Sequence, residues 1–217
     1  MFDNNWELIE GPDAHEIEVL NYSSQINLVE AFLRFFLAGR AGHPAIPNAA
    51  VICELHRTGT LLLLKQPGVY RDCHVVVGQQ NGEVVHAPPD WETVPDHMNR
   101  FSQEIIAVWN TDPLSVASYA IWSLNWIHPF KNGNGRTARA FGYLCLSLKI
   151  GTILPGKPTV IELIMQNRDE YNDALRHADR TYKTTGAPDL KPMYAYLEKL
   201  LRIQFSSLVP QTAIIES

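Results

Sequence analysis

The sequence contains few of the features that mark disulfide-bonded, zinc-binding or membrane-spanning chains. Its 217 residues include only three cysteines, an odd and scattered set that predicts buried thiols in a reducing compartment. The eight histidines show no zinc-ligand spacing. The longest purely aliphatic run, Leu61 to Leu64, is far too short to cross a bilayer. The first residues lack the basic and apolar regions of a secretory signal. We therefore expect a cytoplasmic protein with no membrane partner.

Charge and size further limit the class of protein to which this chain can belong. Lysine and arginine total 18 against 23 aspartate and glutamate residues, a net charge of −5, and no local basic cluster occurs. This balance predicts no nucleic-acid partner. A chain of this length with 46% hydrophobic residues can bury one sizeable core.

Helical periodicity dominates the chain. Apolar spacing predicts one helix that stops at Gly39, a second from Asn48 to about Leu64, and a buried one from Thr137 to Ile150. Further apolar stripes predict helices around residues 98–108, 171–178 and 193–201. Asp112 is a candidate N-cap for one more helix, which delivers the chain to His128.

One hairpin interrupts the helices. Val69 to Val77 and Glu83 to His86 are extended runs on either side of Gln79-Gln80-Asn81-Gly82. Asn-Gly between β-branched runs is a strong hairpin signal. The hairpin could have a purely structural role. The predicted fold class is mainly α: a helical bundle with a β-hairpin before a helix–loop–helix unit.

The most informative segment runs from His128 to Arg139. Gly133 and Gly135 allow a tight turn that exposes N–H groups to an anion, and the helix that opens there attracts phosphate at its N-terminus. Arg136 and Arg139, at i and i+3, can grip phosphate oxygens from one face. His128 is of the residue type that suits a general base near neutral pH. No Walker-type pattern occurs, so we predict a different kind of nucleotide-phosphate site.

This segment resembles the motif of the Fic family, His-Pro-Phe-x-(Asp/Glu/Asn)-Gly-Asn-Gly-Arg-x-x-Arg, at every fixed position. The resemblance implies transfer of AMP from ATP, with Mg²⁺ or Mn²⁺, to a hydroxyl of a protein partner. It implies that His128 deprotonates the target Ser, Thr or Tyr and that Phe130 anchors the loop. Asn132 would sit at the metal position, where many members carry Asp. The implied phosphate ligands are Gly133, Asn134, Gly135, Arg136 and Arg139.

The order of the elements also resembles the Fic fold. It divides the chain into an N-terminal extension (1–20), a Fic domain (21–206) and a C-terminal tail (207–217). In Fic-like proteins the hairpin is a flap that pairs with an extended target segment. The flap residues here would be Gln79, Gln80, Asn81, Gly82, Glu83, Val84, Val85 and His86. Arg168-x-x-Tyr171 resembles the family's segment near the adenine, which assigns Tyr171 to ATP binding; an ordinary surface helix is the alternative.

A self-inhibitory device is incomplete in this chain. Many self-inhibited relatives carry Ser/Thr-x-x-x-Glu-Gly/Asn on a helix over the site, and its Glu pairs with the last motif arginine. Ser23 to Leu28 has Asn27 for the Glu and Leu28 for the Gly, so it is either a remnant or only the start of a helix. We expect no inhibition in cis by this device, which leaves a separate inhibitory partner open.

Two other functions stay open beside a protein adenylyltransferase. A Fic-type enzyme could transfer another nucleotide or a phosphate, although the intact Gly133-Asn134-Gly135-Arg136 argues against the kinase-like branch. The chain could also be a catalytically silent nucleotide- or protein-binding module. The amide of Asn132 favours this last alternative, because Mg²⁺ prefers charged oxygen ligands.

Overall fold

The fold is a helical bundle with one short hairpin. The computed structural model describes residues 6–9, 11–39, 46–78 and 84–208. The elements are α1 (Pro12–Ala38), α2 (Ala49–Gly59), β1 (Val77–Gly78), β2 (Val84–His86), α3 (Val94–Val108), α4 (Pro113–Ile127), α5 (Asn134–Ile150), α6 (Val160–Gln166), α7 (Asp169–Thr185) and α8 (Lys191–Ser206). The mainly α class, with a hairpin ahead of a helix–loop–helix unit, is confirmed.

Helices α4 and α5 form the centre of the molecule. The Asp112 carboxylate accepts hydrogen bonds from the backbone N–H groups of Leu114 and Ser115 and so caps α4 as predicted. Helix α5 is buried along most of its length, as its apolar sequence requires. The two helices approach closely at Gly142, where an added Cβ would lie 2.3 Å from Ile121 Cγ1. The loop between α4 and α5 thus joins two closely packed helices.

The other helices surround this central pair. Helices α1 and α2 pack against α5 and each other, α3 packs against α4, and α7 and α8 cover a further side of α4. Helix α6 lies between α5 and α8. No helix within the described ranges has an apolar stretch long enough to cross a membrane.

Several helix boundaries differ from the predicted ones. Helix α1 starts at Pro12 and therefore runs across the boundary predicted at residue 20. Helix α2 ends at Gly59 rather than near Leu64, because Thr60 leaves the helical conformation with a φ of −131°. Leu62 then turns the chain with a left-handed φ of 63°. The sequence reading missed α6, although Thr159 and Glu162 form a capping box at its start.

The hairpin is shorter than predicted. Val77 pairs with His86 and Gly78 pairs with Val84 in an antiparallel ladder, but the segment before Val77 is not a strand. Its backbone has another partner, since the Arg71 N–H donates to the carbonyl of Pro129 at 2.8 Å. The predicted tip, Gln79 to Gly82, and the predicted strand residue Glu83 lie outside the described residues.

Candidate active site

His128 ends helix α4 in a conformation that presents its ring to a cavity. The residue adopts left-handed φ and ψ of 51° and 58°, because Pro129 cannot continue the helix. Its Nδ1 lies 3.2 Å from the Asn125 carbonyl. A carbonyl only accepts, so this bond places the proton on Nδ1 and leaves Nε2 free to accept one. Burial lowers the pKa of His128 to about 4, so the ring is neutral at pH 7.

The loop after His128 is closed by one asparagine. Phe130 is completely buried. Its N–H donates to Asn134 Oδ1 at 2.9 Å, and Asn134 Nδ2 donates to the Phe130 carbonyl at 2.8 Å. Both polar atoms of the Asn134 side chain therefore brace the loop. Only its backbone N–H is left to meet an anion.

The N-terminus of α5 offers free N–H groups. Gly133 is the N-cap, with a left-handed φ of 78° and no side chain to cap the helix. Helix geometry leaves the N–H groups of Asn134, Gly135 and Arg136 without intrahelical partners. The Gly133 N–H donates to Asn132 Oδ1 at 2.6 Å and is already occupied. Three N–H groups at the start of α5 and the positive end of its dipole therefore lie where the sequence predicts an anion hole.

Arg139 is buried beneath this N-terminus. Only 8% of its surface is exposed, and among the described residues its Nε has no hydrogen-bond partner. Burial lowers the pKa of its guanidinium, and the nearby Tyr171 hydroxyl opposes that change. A Cβ at Gly135 would lie 3.2 Å from Arg139 Nη1, so glycine leaves room for the guanidinium. A buried donor without a partner costs about 1–3 kcal/mol, which an incoming anion would relieve.

Arg136 already has partners in the same region. Its Nη1 donates to the Gly59 carbonyl at 2.6 Å, and its Nη2 forms an ion pair with Glu18 of α1 at 2.5 Å. The guanidinium is therefore held at the mouth of the site. One of its two ends faces a carboxylate that a phosphate would have to replace.

Asn132 is exposed at the other side of the loop. Its Nδ2 donates to Glu7 Oε1 at 3.1 Å, and its backbone carbonyl lies 2.8 Å from His56 Nε2. Glu7 belongs to a short segment that pairs with Leu64. Within the ranges that the structure describes, no cluster of three or more His, Cys, Asp and Glu side chains is placed to bind a metal.

These groups share one cavity of about 950 Å³, a size typical of small-molecule sites. His128, Gly133 to Arg136 and Arg139 line it, together with Arg168 and residues 75–78 beside the hairpin. Tyr171 lies below the cavity wall: it is buried, and its hydroxyl accepts from Asn125 Nδ2 at 3.0 Å. Of the predicted flap, Val84 to His86 form β2.

Comparison with known proteins identifies the family. Residues 47–146 match the Fic/DOC family. This chain contains a Fic domain. Over 151 residues, 69% of the chain, it is 26% identical to the protein adenylyltransferase Fic of Nematostella vectensis, and the match spans 31% of that relative's length.

Solved Fic structures share the fold. A Fic family protein from Desulfovibrio desulfuricans superposes with a TM-score of 0.67 at 21% identity, over 91% of this chain and 55% of that one. The BepC protein from Bartonella tribocorum, solved with bound AMPPNP, superposes with a TM-score of 0.54 at 15% identity, over 88% of each chain.

Sequence reasoning missed Arg71 and gave His86 another role, although both residues bond to backbone carbonyls at the end of α4. Arg71 is buried; its Nε donates to the His128 carbonyl at 2.9 Å, and its Nη2 donates to Pro89. His86 was assigned to target docking, but its Nε2 lies 2.8 Å from the Trp126 carbonyl and its Nδ1 lies 3.6 Å from Asp179. Neither residue belongs to a local motif.

The segment compared with the inhibitory motif lies in the middle of α1. Asn27 is exposed there. Gln25 is buried and donates to the Leu55 carbonyl at 2.7 Å. The carboxylate that α1 does bring to the site of the Fic domain is Glu18, on the first motif arginine rather than the last. No sequence pattern signalled this pair.

Proposed function

We propose that this Fic domain transfers AMP from ATP to a Ser, Thr or Tyr hydroxyl of a target protein and releases pyrophosphate. Family membership and the name of the Nematostella relative support a Fic-type transferase. One observation carries the proposal. A neutral histidine with a free Nε2, His128, shares a cavity with the buried side chain of Arg139, whose Nε has no hydrogen-bond partner among the described residues.

The phosphates of ATP would bind at the start of α5. The N–H groups of Asn134, Gly135 and Arg136 face this end, and the helix dipole adds to them. Arg139 would bind the distal phosphates from below and relieve its unpaired Nε. Arg136 would bind them after exchanging Glu18 for a phosphate oxygen. The AMPPNP in the BepC structure supports a nucleoside triphosphate as the ligand.

His128 would act on the target and not on the nucleotide. Its Nε2 would take the proton of the target hydroxyl while the hydroxyl oxygen attacks the α-phosphorus. The bond from the α-phosphorus to the bridging oxygen breaks, and the pyrophosphate leaves with that electron pair. The low pKa of His128 keeps the ring ready to accept a proton at neutral pH, and positioning and charge stabilisation supply most of the catalysis.

The residues around Asn132 fit a divalent cation bound with ATP. Mg²⁺ in phosphate sites is held by one or two carboxylates together with substrate phosphates. The Asn132 amide oxygen accepts from the Gly133 N–H, a bond that a cation would replace, and Glu7 Oε1 accepts from Asn132 Nδ2 at 3.1 Å. The Glu7 carboxylate therefore lies beside the Asn132 amide. We infer that these two residues would hold Mg²⁺ or Mn²⁺, which when bound neutralises phosphate charge.

The hairpin would hold the target. Residues 75–78 line the cavity beside His128, so an extended segment added to the exposed edge of the hairpin would pass the base. Strand addition uses backbone groups and suits varied target sequences. The partner we propose is therefore a protein with a hydroxyl in an extended segment.

A silent nucleotide-binding module is the second candidate. Two observations favour it: Asn132 lacks a charge at the proposed metal position, and Glu18 forms an ion pair with Arg136. In this case ATP would bind without transfer.

Labelled ATP separates these functions. The protein is incubated with a cell lysate, Mg²⁺ or Mn²⁺, and ATP labelled at either the α- or the γ-phosphate. AMP transfer labels protein from the α position only, whereas phosphate transfer labels it from the γ position. His128→Ala should abolish the α label and keep ATP affinity within about twofold, because the ring does not contact the phosphates. ATP binding without any label in the parent protein would favour the silent module.

A further inference from the structure

A second histidine lies underneath the phosphate-binding loop. His56, in the last turns of α2, has no exposed surface. Its Nδ1 accepts from the Gly68 N–H at 2.8 Å, and its Nε2 lies 2.8 Å from the Asn132 carbonyl. A backbone N–H only donates and a carbonyl only accepts. The two bonds therefore require one neutral tautomer, with the proton on Nε2.

The ring of His56 also holds the other end of the loop. It stacks on Phe130 with centroids 3.7 Å apart and planes 10° from parallel. The His56 imidazole thus contacts Phe130 through its face and Asn132 through its edge. Both of these residues lie just before the glycine turn, which runs from Gly133 to Gly135. Burial lowers the pKa of His56 to about 4, which is consistent with the neutral tautomer.

The turn of α2 that carries His56 forms the floor of the glycine turn. Thr60 Oγ1 donates to the His56 carbonyl at 2.7 Å, and a Cβ at Gly133 would lie 2.5 Å from Thr60 Cγ2. The Gly59 carbonyl accepts from Arg136 Nη1 at 2.6 Å. The C-terminal end of α2 therefore contacts both the loop at Gly133 and the side chain of Arg136.

We propose that His56 is a positioning residue for the phosphate-binding loop. It fixes the Asn132 carbonyl and the Phe130 ring, so that the free N–H groups at the start of α5 converge on one place. It contacts no part of the cavity itself. The inference rests on the proposed function only in taking ATP as the ligand.

Three variants separate positioning from general stability. His56→Phe keeps a stacked ring and removes both ring nitrogens. His56→Gln loses the ring and restores a donor that can reach the Asn132 carbonyl. Ile105→Ala opens a cavity in the core on α3, a helix that contributes no residue to the site, and serves as the control for lost stability.

Hydrogen exchange of the unliganded protein is the first measurement. The Phe130 and Gly133 N–H groups are hydrogen-bonded within the loop. His56→Phe should speed their exchange by about fivefold or more relative to the Leu114 N–H at the capped start of α4, because the loop loses a buried hydrogen bond. His56→Gln should recover part of this protection, and Ile105→Ala should not single out the loop. Unchanged loop exchange in the Phe variant would overturn the proposal, whether or not AMP is transferred.

ATP affinity is the second measurement. By titration calorimetry, His56→Phe should weaken ATP binding by about five- to tenfold, and His56→Gln should weaken it less. Equal weakening in the Phe, Gln and Ile105→Ala variants would show a stability effect and refute positioning.

The parent protein provides a test that needs no variant to fold. Its NMR spectrum at pH 7 should show His56 protonated on Nε2, with a slowly exchanging ring proton. A proton on Nδ1, or fast exchange of the ring proton, would also contradict the proposal. If the exchange, affinity and NMR results are as expected but no target protein is labelled, only the proposed AMP transfer is refuted.

Discussion

Removing the Glu18 carboxylate should strengthen ATP binding. Glu18 pairs with Arg136 at 2.5 Å, and the two side chains are 46% and 24% exposed. A triphosphate that uses this arginine has to displace the carboxylate. In Glu18→Gln the charge is lost, while Arg136 stays anchored through the Gly59 carbonyl. The phosphate then meets an arginine that is already in place.

The size of the effect follows from the exposure of the pair. Ion pairs open to solvent contribute about 0.2–1 kcal/mol, so ATP affinity should rise between about 1.4-fold and about fivefold. AMP, which lacks the distal phosphates, should gain less. The gain should shrink as salt is raised, because a partly exposed pair is screened.

Calorimetric titration with ATP and with AMP provides the assay. Glu16→Gln is the matched control, since Glu16 lies on the same helix, carries the same charge, is exposed and does not line the cavity. If the two glutamine variants bind ATP equally tightly, the benefit is a general charge effect. If Glu18→Gln binds ATP more weakly than the parent, the carboxylate supports the site instead of competing for it, and the reasoning fails.

Two further predictions concern the phosphates and the cation. Arg139→Ala should weaken ATP about ten- to a hundredfold through lost charge-assisted bonds and weaken AMP much less; equal losses in titrations with both nucleotides would remove Arg139 from the distal phosphates. In the presence of ATP, Asn132→Asp should raise Mn²⁺ affinity and Glu7→Gln should lower it, each by about fivefold or more, because a unit charge is added or removed beside the cation. Electron paramagnetic resonance of free Mn²⁺ measures this directly, and unchanged Mn²⁺ binding in both variants would place the cation elsewhere.

The parts of the fold that depend on local sequence could be predicted from the sequence alone. Asp112 caps α4 through its own backbone neighbours, and Gly151 ends α5 in a left-handed conformation. Both signals lie within a few residues of the feature that they set. The capping box of Thr159 and Glu162 is of the same kind and would have revealed α6. The segment from His128 to Arg139 could be matched to the Fic family because its motif is contiguous in the chain.

The residues that hold this loop could not be predicted, because their partners are distant in sequence. Glu18 and Arg136 are 118 residues apart, and His56 and Asn132 are 76 apart. A single glutamate on a helix or a single histidine in an apolar stretch carries no local signal. Only the packing of α1 and α2 against α5 brings them to the loop.

The close contact at Gly142 has a consequence for the proposed reaction, although Gly142 itself does not line the cavity. His128, the proposed proton acceptor, ends one of the two central helices, and Arg139, a proposed phosphate ligand, lies near the start of the other. Their separation is set by how closely these helices approach, and Ile121 permits no side chain opposite it. Even alanine at position 142 would force the Ile121 side chain or the two helices to shift. His128 and Arg139 would then be misaligned, although every side chain of the motif from His128 to Arg139 remained. A substitution at position 142 would therefore impair the proposed transfer without any change in the motif.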